Sequence, residues 1–152
     1  MVFRSFMEAA LEEARAAGAR GEVPVGAVIV NAKGEIVARA GNTTRADKDP
    51  SAHAELSAIR KACAVLGQER LTDYDLYVTL EPCPMCAGAI SWARIKRLYF
   101  GAADPKSGGV LHGARVFDHP QCHHKPEIYD GIAGEACEAL LKSFFAERRH
   151  QN

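Results

Sequence analysis

The apolar run Leu76-Tyr77-Val78-Thr79-Leu80 is broken at once by Glu81-Pro82-Cys83-Pro84-Met85-Cys86, and this junction constrains the fold more than any other stretch. The run has the length and composition of a buried strand. Pro84 lacks an N–H and fits the first turn of a helix, so the strand is expected to lead directly into one. Cys83 and Cys86 then share a face of that helix. A second cluster, His53-Ala54-Glu55, follows Asp49-Pro50-Ser51. Ser51 is a candidate N-cap for a helix running to about Leu66 and stopping at Gly67. Both clusters therefore stand at helix N-termini, which carry partial positive charge and free N–H donors. The two N-termini are expected to converge on one metal ion.

His53, Cys83 and Cys86 suit zinc, and three protein ligands with water in the fourth position is the common catalytic arrangement. The helix N-terminus favours the thiolates that ligation needs. Zinc lowers the pKa of bound water to about 7 in favourable sites. Glu55, left unligated, is placed to take that water's proton and pass it to a ring nitrogen, then to a leaving amine. The outcome is replacement of an exocyclic amine by oxygen. Other readings stay open on the residues alone. A fourth ligand such as Cys122 or His123 would close the site into a structural clip, and separately Glu55 could be a surface helix residue. Cys122-His123-His124 would hold a second metal, or form an ordinary loop.

The remaining chain fits one domain, residues 1–152, with 47% hydrophobic residues, ordinary for a globular protein. No apolar run approaches the ~18 residues of a membrane span. The N-terminus lacks a signal-peptide pattern, so a cytoplasmic location is expected. Five cysteines, an odd number without framework spacing, argue against disulfides; Cys63 and Cys137 are expected as buried thiols. Nineteen basic and 19 acidic residues cancel, which argues against nucleic-acid binding by bulk charge. Locally, residues 94–115 hold five basic groups against Asp104 alone, read either as a solvated face or as a nucleic-acid contact.

Periodicity predicts an amphipathic helix over residues 3–17, ending near Gly18 or Gly21, and a hairpin of residues 25–30 and 36–40 around Asn31-Ala32-Lys33-Gly34. A further strand is expected at 95–101, an irregular stretch at 104–124, a short strand at Ile128-Tyr129 and a final helix from about Glu135. That order gives an α/β fold, a mixed sheet layered with helices.

The combined pattern His-x-Glu…Pro-Cys-x-x-Cys is the signature of the zinc nucleobase deaminases, so the match is a recognition of that pattern. The chain further resembles the bacterial tRNA-specific adenosine deaminases from about Glu22 to Arg149. The resemblance is carried by Glu22-Val23-Pro24-Val25-Gly26-Ala27-Val28, Gly41-Asn42, Asp49-Pro50-Ser51-Ala52-His53-Ala54-Glu55, the stretch from Leu76 to Cys83 and that from Met85 to Ile90. Phe100-Gly101-Ala102-Ala103-Asp104-Pro105-Lys106-Ser107-Gly108 and Phe144-Phe145-Ala146-Glu147-Arg148-Arg149 discriminate more finely and look like the RNA-acting branch. The segment 109–124 follows the pattern less closely.

The resemblance implies a cytidine-deaminase-like three-layer α/β/α fold with a five-stranded mixed sheet, and one zinc per chain. It implies deamination of the wobble adenosine to inosine in the anticodon loop of an arginine tRNA, by attack of zinc-activated hydroxide on C6 with Glu55 as proton shuttle. It also implies a homodimer that binds the anticodon stem-loop across its interface. Asn42 is expected to hydrogen-bond the flipped base, since an amide both donates and accepts; a turn after Gly41 is the alternative. Arg45, Lys106, Arg148 and Arg149 are expected near the RNA, whose loop is bound by splaying and stacking bases. Two rivals stand beside this: a deaminase of free guanine, cytosine or cytidine on the same zinc core, and a zinc-stabilised RNA-binding module without activity.

Overall fold

The computed structural model describes residues 3–151. Helix α1 spans Met7–Ala19, strands β1 and β2 span Gly26–Val30 and Ile36–Gly41, and helix α2 spans Ala54–Leu66. Strand β3 (Asp75–Leu80) leads into helix α3 (Pro84–Ala93), followed by β4 (Arg97–Ala102), β5 (Glu127–Tyr129) and the terminal helix α4 (Gly134–Gln151). The strands order β2-β1-β3-β4-β5. β1 runs antiparallel to β2 and β3, while β3, β4 and β5 are mutually parallel. The hairpin turns where expected: Asn31 Oδ1 accepts from the N–H groups of Lys33 and Glu35, and Gly34 adopts φ 80°.

Alternation along the strands builds two cores. Ala27, Ile29, Leu76, Val78, Leu98 and Phe100 pack with Ala54, Ala58 and Ala62 of α2 and Ala87 and Ile90 of α3. Val28, Val30, Tyr77 and Tyr99 point the other way, against Met7, Ala10 and Leu11 of α1 and Cys137 of α4. The sheet is thus sandwiched as expected, with α2 and α3 on one face and α1 and α4 on the other. Alanines facing the sheet let helices sit close, and Gly26 goes further: a Cβ there would stand 2.4 Å from Ala14 N.

The expected elements are all present, with shifted ends. The first helix starts at Met7 and β4 at Arg97. Helix α2 is capped at His53, not at Ser51. The Ser51 hydroxyl donates instead to Asp49 Oδ1 at 2.7 Å, closing a turn of its own. Gly67 ends α2 in the left-handed region, φ 67°, as its lack of Cβ permits. Cys137 is buried as expected, whereas Cys63 is half-buried against the core. No helix among the described residues is long and apolar enough to cross a membrane.

Candidate active site

Helices α2 and α3 lie on one face of the sheet and bring their N-termini together. Each begins with a ligand-type residue at its N-cap, His53 and Cys83. An N-cap side chain ordinarily accepts from the helix's own N–H groups. Neither of these does so, and both point into the space between the helices. Cys86, one turn into α3, is buried and completes the cluster.

His53 Nδ1 stands 3.5 Å from the sulfur of Cys83 and 3.5 Å from that of Cys86. Tetrahedral zinc, with Zn–S of about 2.3 Å and Zn–N of about 2.0 Å, places sulfur and nitrogen ~3.5 Å apart. The three atoms therefore fit a single zinc ion. The Cys83 thiol is lowered to about 4, first by its hydrogen bond with Cys86 and then, against burial, by His53. The same hydrogen bond, together with burial, pushes the Cys86 thiol up. Ligation requires both as thiolates and so releases a proton.

Among the described residues, this is the one His, Cys, Asp and Glu cluster with ligand geometry. Neither Cys122 nor His123 joins it, so the closed structural site is not built. Nor do Cys122, His123 and His124 form a second cluster. The Cys122 thiol donates to His124 O at 3.1 Å, the His124 ring bonds Ile95 O at 2.7 Å, and His123 tilts against Trp92 at 5.3 Å.

Glu55 lies in the first turn of α2, only 4% exposed, so it is no surface residue. Burial raises its carboxyl to about 7, with the His53 charge opposing. A carboxyl in that range both takes and gives protons near neutrality. Asn42, 9% exposed, accepts from Ala54 N–H at 2.8 Å through Oδ1. It supplies the cap that Ser51 was expected to give, and its acceptor is already engaged. The Nδ2 group is the donor it offers to a ligand. Asn42→Ala is expected to leave zinc content unchanged while destabilising the fold by about 1 kcal/mol, the usual loss on deleting a cap. Calorimetry with metal analysis checks this; an unaltered Tm would place Ala54 N–H in reach of another acceptor.

Asn42, His53, Glu55 and Cys83 line a pocket of about 240 Å³, walled by Val23, Val25, Leu80, Asp104 and Ser107. The pocket shares Val23, Leu80, Asp104 and Ser107 with a groove of about 720 Å³ that runs to α4. Lys106, Lys142, Phe145, Arg148 and Arg149 line this groove. Of the four basic residues singled out from sequence, the structure brings three together there. Arg45 is not among the groove-lining residues but stands beside them, donating to Gly21 O at 3.3 Å, a carbonyl that Arg148 also reaches.

Sequence reasoning missed two buried acids that shape the walls. Glu22, 2% exposed, accepts from Arg45 N–H at 3.1 Å and Ala46 N–H at 2.9 Å. Burial disfavours its charge, but those two N–H groups and the Thr44 hydroxyl hold it below the usual carboxylate range. Glu81, 1% exposed, is also held low against burial, by the Asp104 N–H and His112. The available signal was position: Glu22 stands just before an apolar run and Glu81 just after one.

Residues 3–102 match the zinc-binding region of cytidine and deoxycytidylate deaminases. The chain belongs to that family. It is a zinc-dependent deaminase, with His53, Cys83 and Cys86 placed to hold the metal. It is 58% identical over 144 residues to the tRNA-specific adenosine deaminase of Agrobacterium fabrum, covering 95% of this chain and 94% of that one. A solved tRNA A34 deaminase, described as editing A to I at the wobble position, superposes with a TM-score of 0.88. It is 59% identical, with 90% of this chain and 98% of that one covered. The guanine deaminase of Bacillus subtilis shares the fold at a TM-score of 0.63 and 35% identity, over 98% of this chain and 95% of that one.

Proposed function

We propose that this deaminase converts the wobble adenosine of an arginine tRNA, in an ACG anticodon, to inosine. The carrying observation is the continuity between the 240 Å³ catalytic pocket and the 720 Å³ groove. A free base needs only the first. Four cations around Phe145 suit a chain that carries phosphates and unstacked bases, which aromatic faces bind. The likeness to relatives that act on tRNA supports the same choice.

Zinc, when bound, supplies an activated water as nucleophile. Asn42 Nδ2 donates to an acceptor on the flipped base, its orientation locked because Oδ1 is held by Ala54 N–H. Glu55 takes the proton from the attacking water and delivers it to the adenine ring nitrogen beside C6. It then carries the second proton to the amine. Ammonia leaves, C6 keeps the oxygen, and Glu55 returns to its starting state.

For the partner copy that the resemblance implies, α3 offers a candidate surface. This helix has no charged residue, and Met85 and Trp92 on its outer side are 42% and 67% exposed. Between them, a Cβ on Gly88 would meet nothing within 4 Å. An uncharged helix face with exposed apolar side chains suits the interface of a two-fold dimer. Trp92→Glu is expected to shift the protein from dimer to monomer by light scattering with zinc retained. A variant that stays dimeric would move the interface elsewhere. The whole chain acts as one domain, in the cytoplasm with its tRNA substrate.

A steady-state comparison tests the substrate class. The zinc-loaded protein is offered an ACG anticodon stem-loop, and in parallel free adenosine, cytidine, cytosine and guanine. Turnover is expected of the stem-loop alone. Turnover of a free base, with the stem-loop untouched, would keep the chemistry and assign the chain to the free-base branch.

A further inference from the structure

Glu81 is the last residue before the metal-binding turn, yet its side chain faces the loop that follows β4. Its carboxylate is fully buried. Oε1 accepts from Asp104 N–H at 3.0 Å and stands 2.7 Å from His112 Nδ1. Oε2 accepts from the N–H groups of Val110, Leu111 and His112 at 3.1, 2.9 and 3.0 Å. Five donors thus converge on one carboxylate, using all its capacity. The backbone reinforces the link: Glu81 N–H donates to Ala102 O, and Gly109 N–H to Pro82 O, both at 2.8 Å. Gly108 is required by the same arrangement, since a Cβ there would stand 2.6 Å from Glu81 Oε2 and 2.5 Å from Asp104 O.

The loop so gathered is a wall of the site. Asp104 and Ser107 line the catalytic pocket, and Lys106 lines the groove beyond it. Two residues along the chain from Glu81, Cys83 belongs to the metal cluster. One side chain therefore ties the wall that meets the substrate to the turn that meets the metal. We propose that Glu81 is a positioning residue for the deamination, fixing Asp104, Lys106 and Ser107 at a set distance from the metal ligands so that a nucleotide bound by the loop presents its base to Glu55. The inference rests on the deaminase reading above and adds to it how substrate and metal are held in register.

Glu81→Gln tests this with little change in volume. With its oxygen facing the three donors at Val110–His112, its NH₂ faces Asp104 N–H, which loses its acceptor. The zinc-loaded variant is expected to keep one zinc per chain. The Asp104 amide should exchange with solvent about tenfold faster or more, since a bond to a charged acceptor is lost. KM for the ACG stem-loop should rise by a similar factor, with kcat changing less. Gly108→Ala, which displaces the loop while leaving the carboxylate intact, is expected to reproduce the KM effect and serves if the first variant fails to fold.

Unchanged Asp104 exchange and unchanged KM in a folded, zinc-loaded variant would overturn the proposal. If the wild type leaves the stem-loop unturned, the substrate assignment fails, and the exchange measurement still decides whether Glu81 positions the wall. A loss of zinc in both variants would make Glu81 a support of the metal turn alone, which also overturns it.

Discussion

Glu55→Gln is expected to bind zinc and RNA as the wild type does and to lose turnover by about 10²–10⁴-fold, the range for removing a general acid–base group. That factor corresponds to about 3–5 kcal/mol of transition-state stabilisation. The amide keeps the shape of the side chain but can no longer carry the water's proton to the base. Glu55 is almost fully buried, and desolvation is the main cause that drives its carboxyl toward neutrality. Replacing it removes an unfavourable buried acid, so Tm is expected to hold or rise, the usual trade between activity and stability at a site. Single-turnover kinetics and metal analysis on the same preparation check both halves. Full activity in the variant would take the proton shuttle away from Glu55 and leave it a structural residue.

Cys83→Ala is expected to have the second large effect, on metal and fold together. Cys83 is the N-cap of α3 and Cys86 its first-turn partner, so the ion joins the start of α3 to the start of α2 at His53. A ligand bound only by the folded state stabilises by about 4 kcal/mol at a thousandfold excess over its Kd. For a domain of this size each kcal/mol moves Tm by about 2–4 °C, giving a drop of about 8–16 °C. Chelation of the wild type should lower Tm by a similar amount and leave the variant unmoved. One zinc per chain in Cys83→Ala, with an unaltered Tm, would refute the ligand set.

How far the sequence could be read follows from which interactions are local. The ligand cluster was legible because the metal imposes residue types at fixed spacing. Pro84 announced the start of α3 through a missing N–H. The strands were legible through burial, since β1 is buried at all five positions. The cap of α2 was not legible, because the group that makes it, Asn42, lies twelve residues before Ala54 and is brought there by the fold. Ser51 is no cap because Asp49, two residues before it, takes its hydroxyl. The five donors on Glu81 come from residues 23 to 31 positions away, a distance no local pattern spans. The basic residues divide in the same way. Lys106 and Arg149 meet in one groove because α4 packs beside the loop after β4, while Arg45 lies outside that lining and shares the Gly21 carbonyl with Arg148.

The most direct test of the central claim is to locate the product. Full-length arginine tRNA with an ACG anticodon is incubated with the zinc-loaded protein and every adenosine is read by reverse transcription, where inosine reports as guanosine. Conversion at the wobble position alone, and none with Glu55→Gln, is the expected result. An unconverted wobble adenosine, or conversion scattered over other exposed adenosines, would contradict the account.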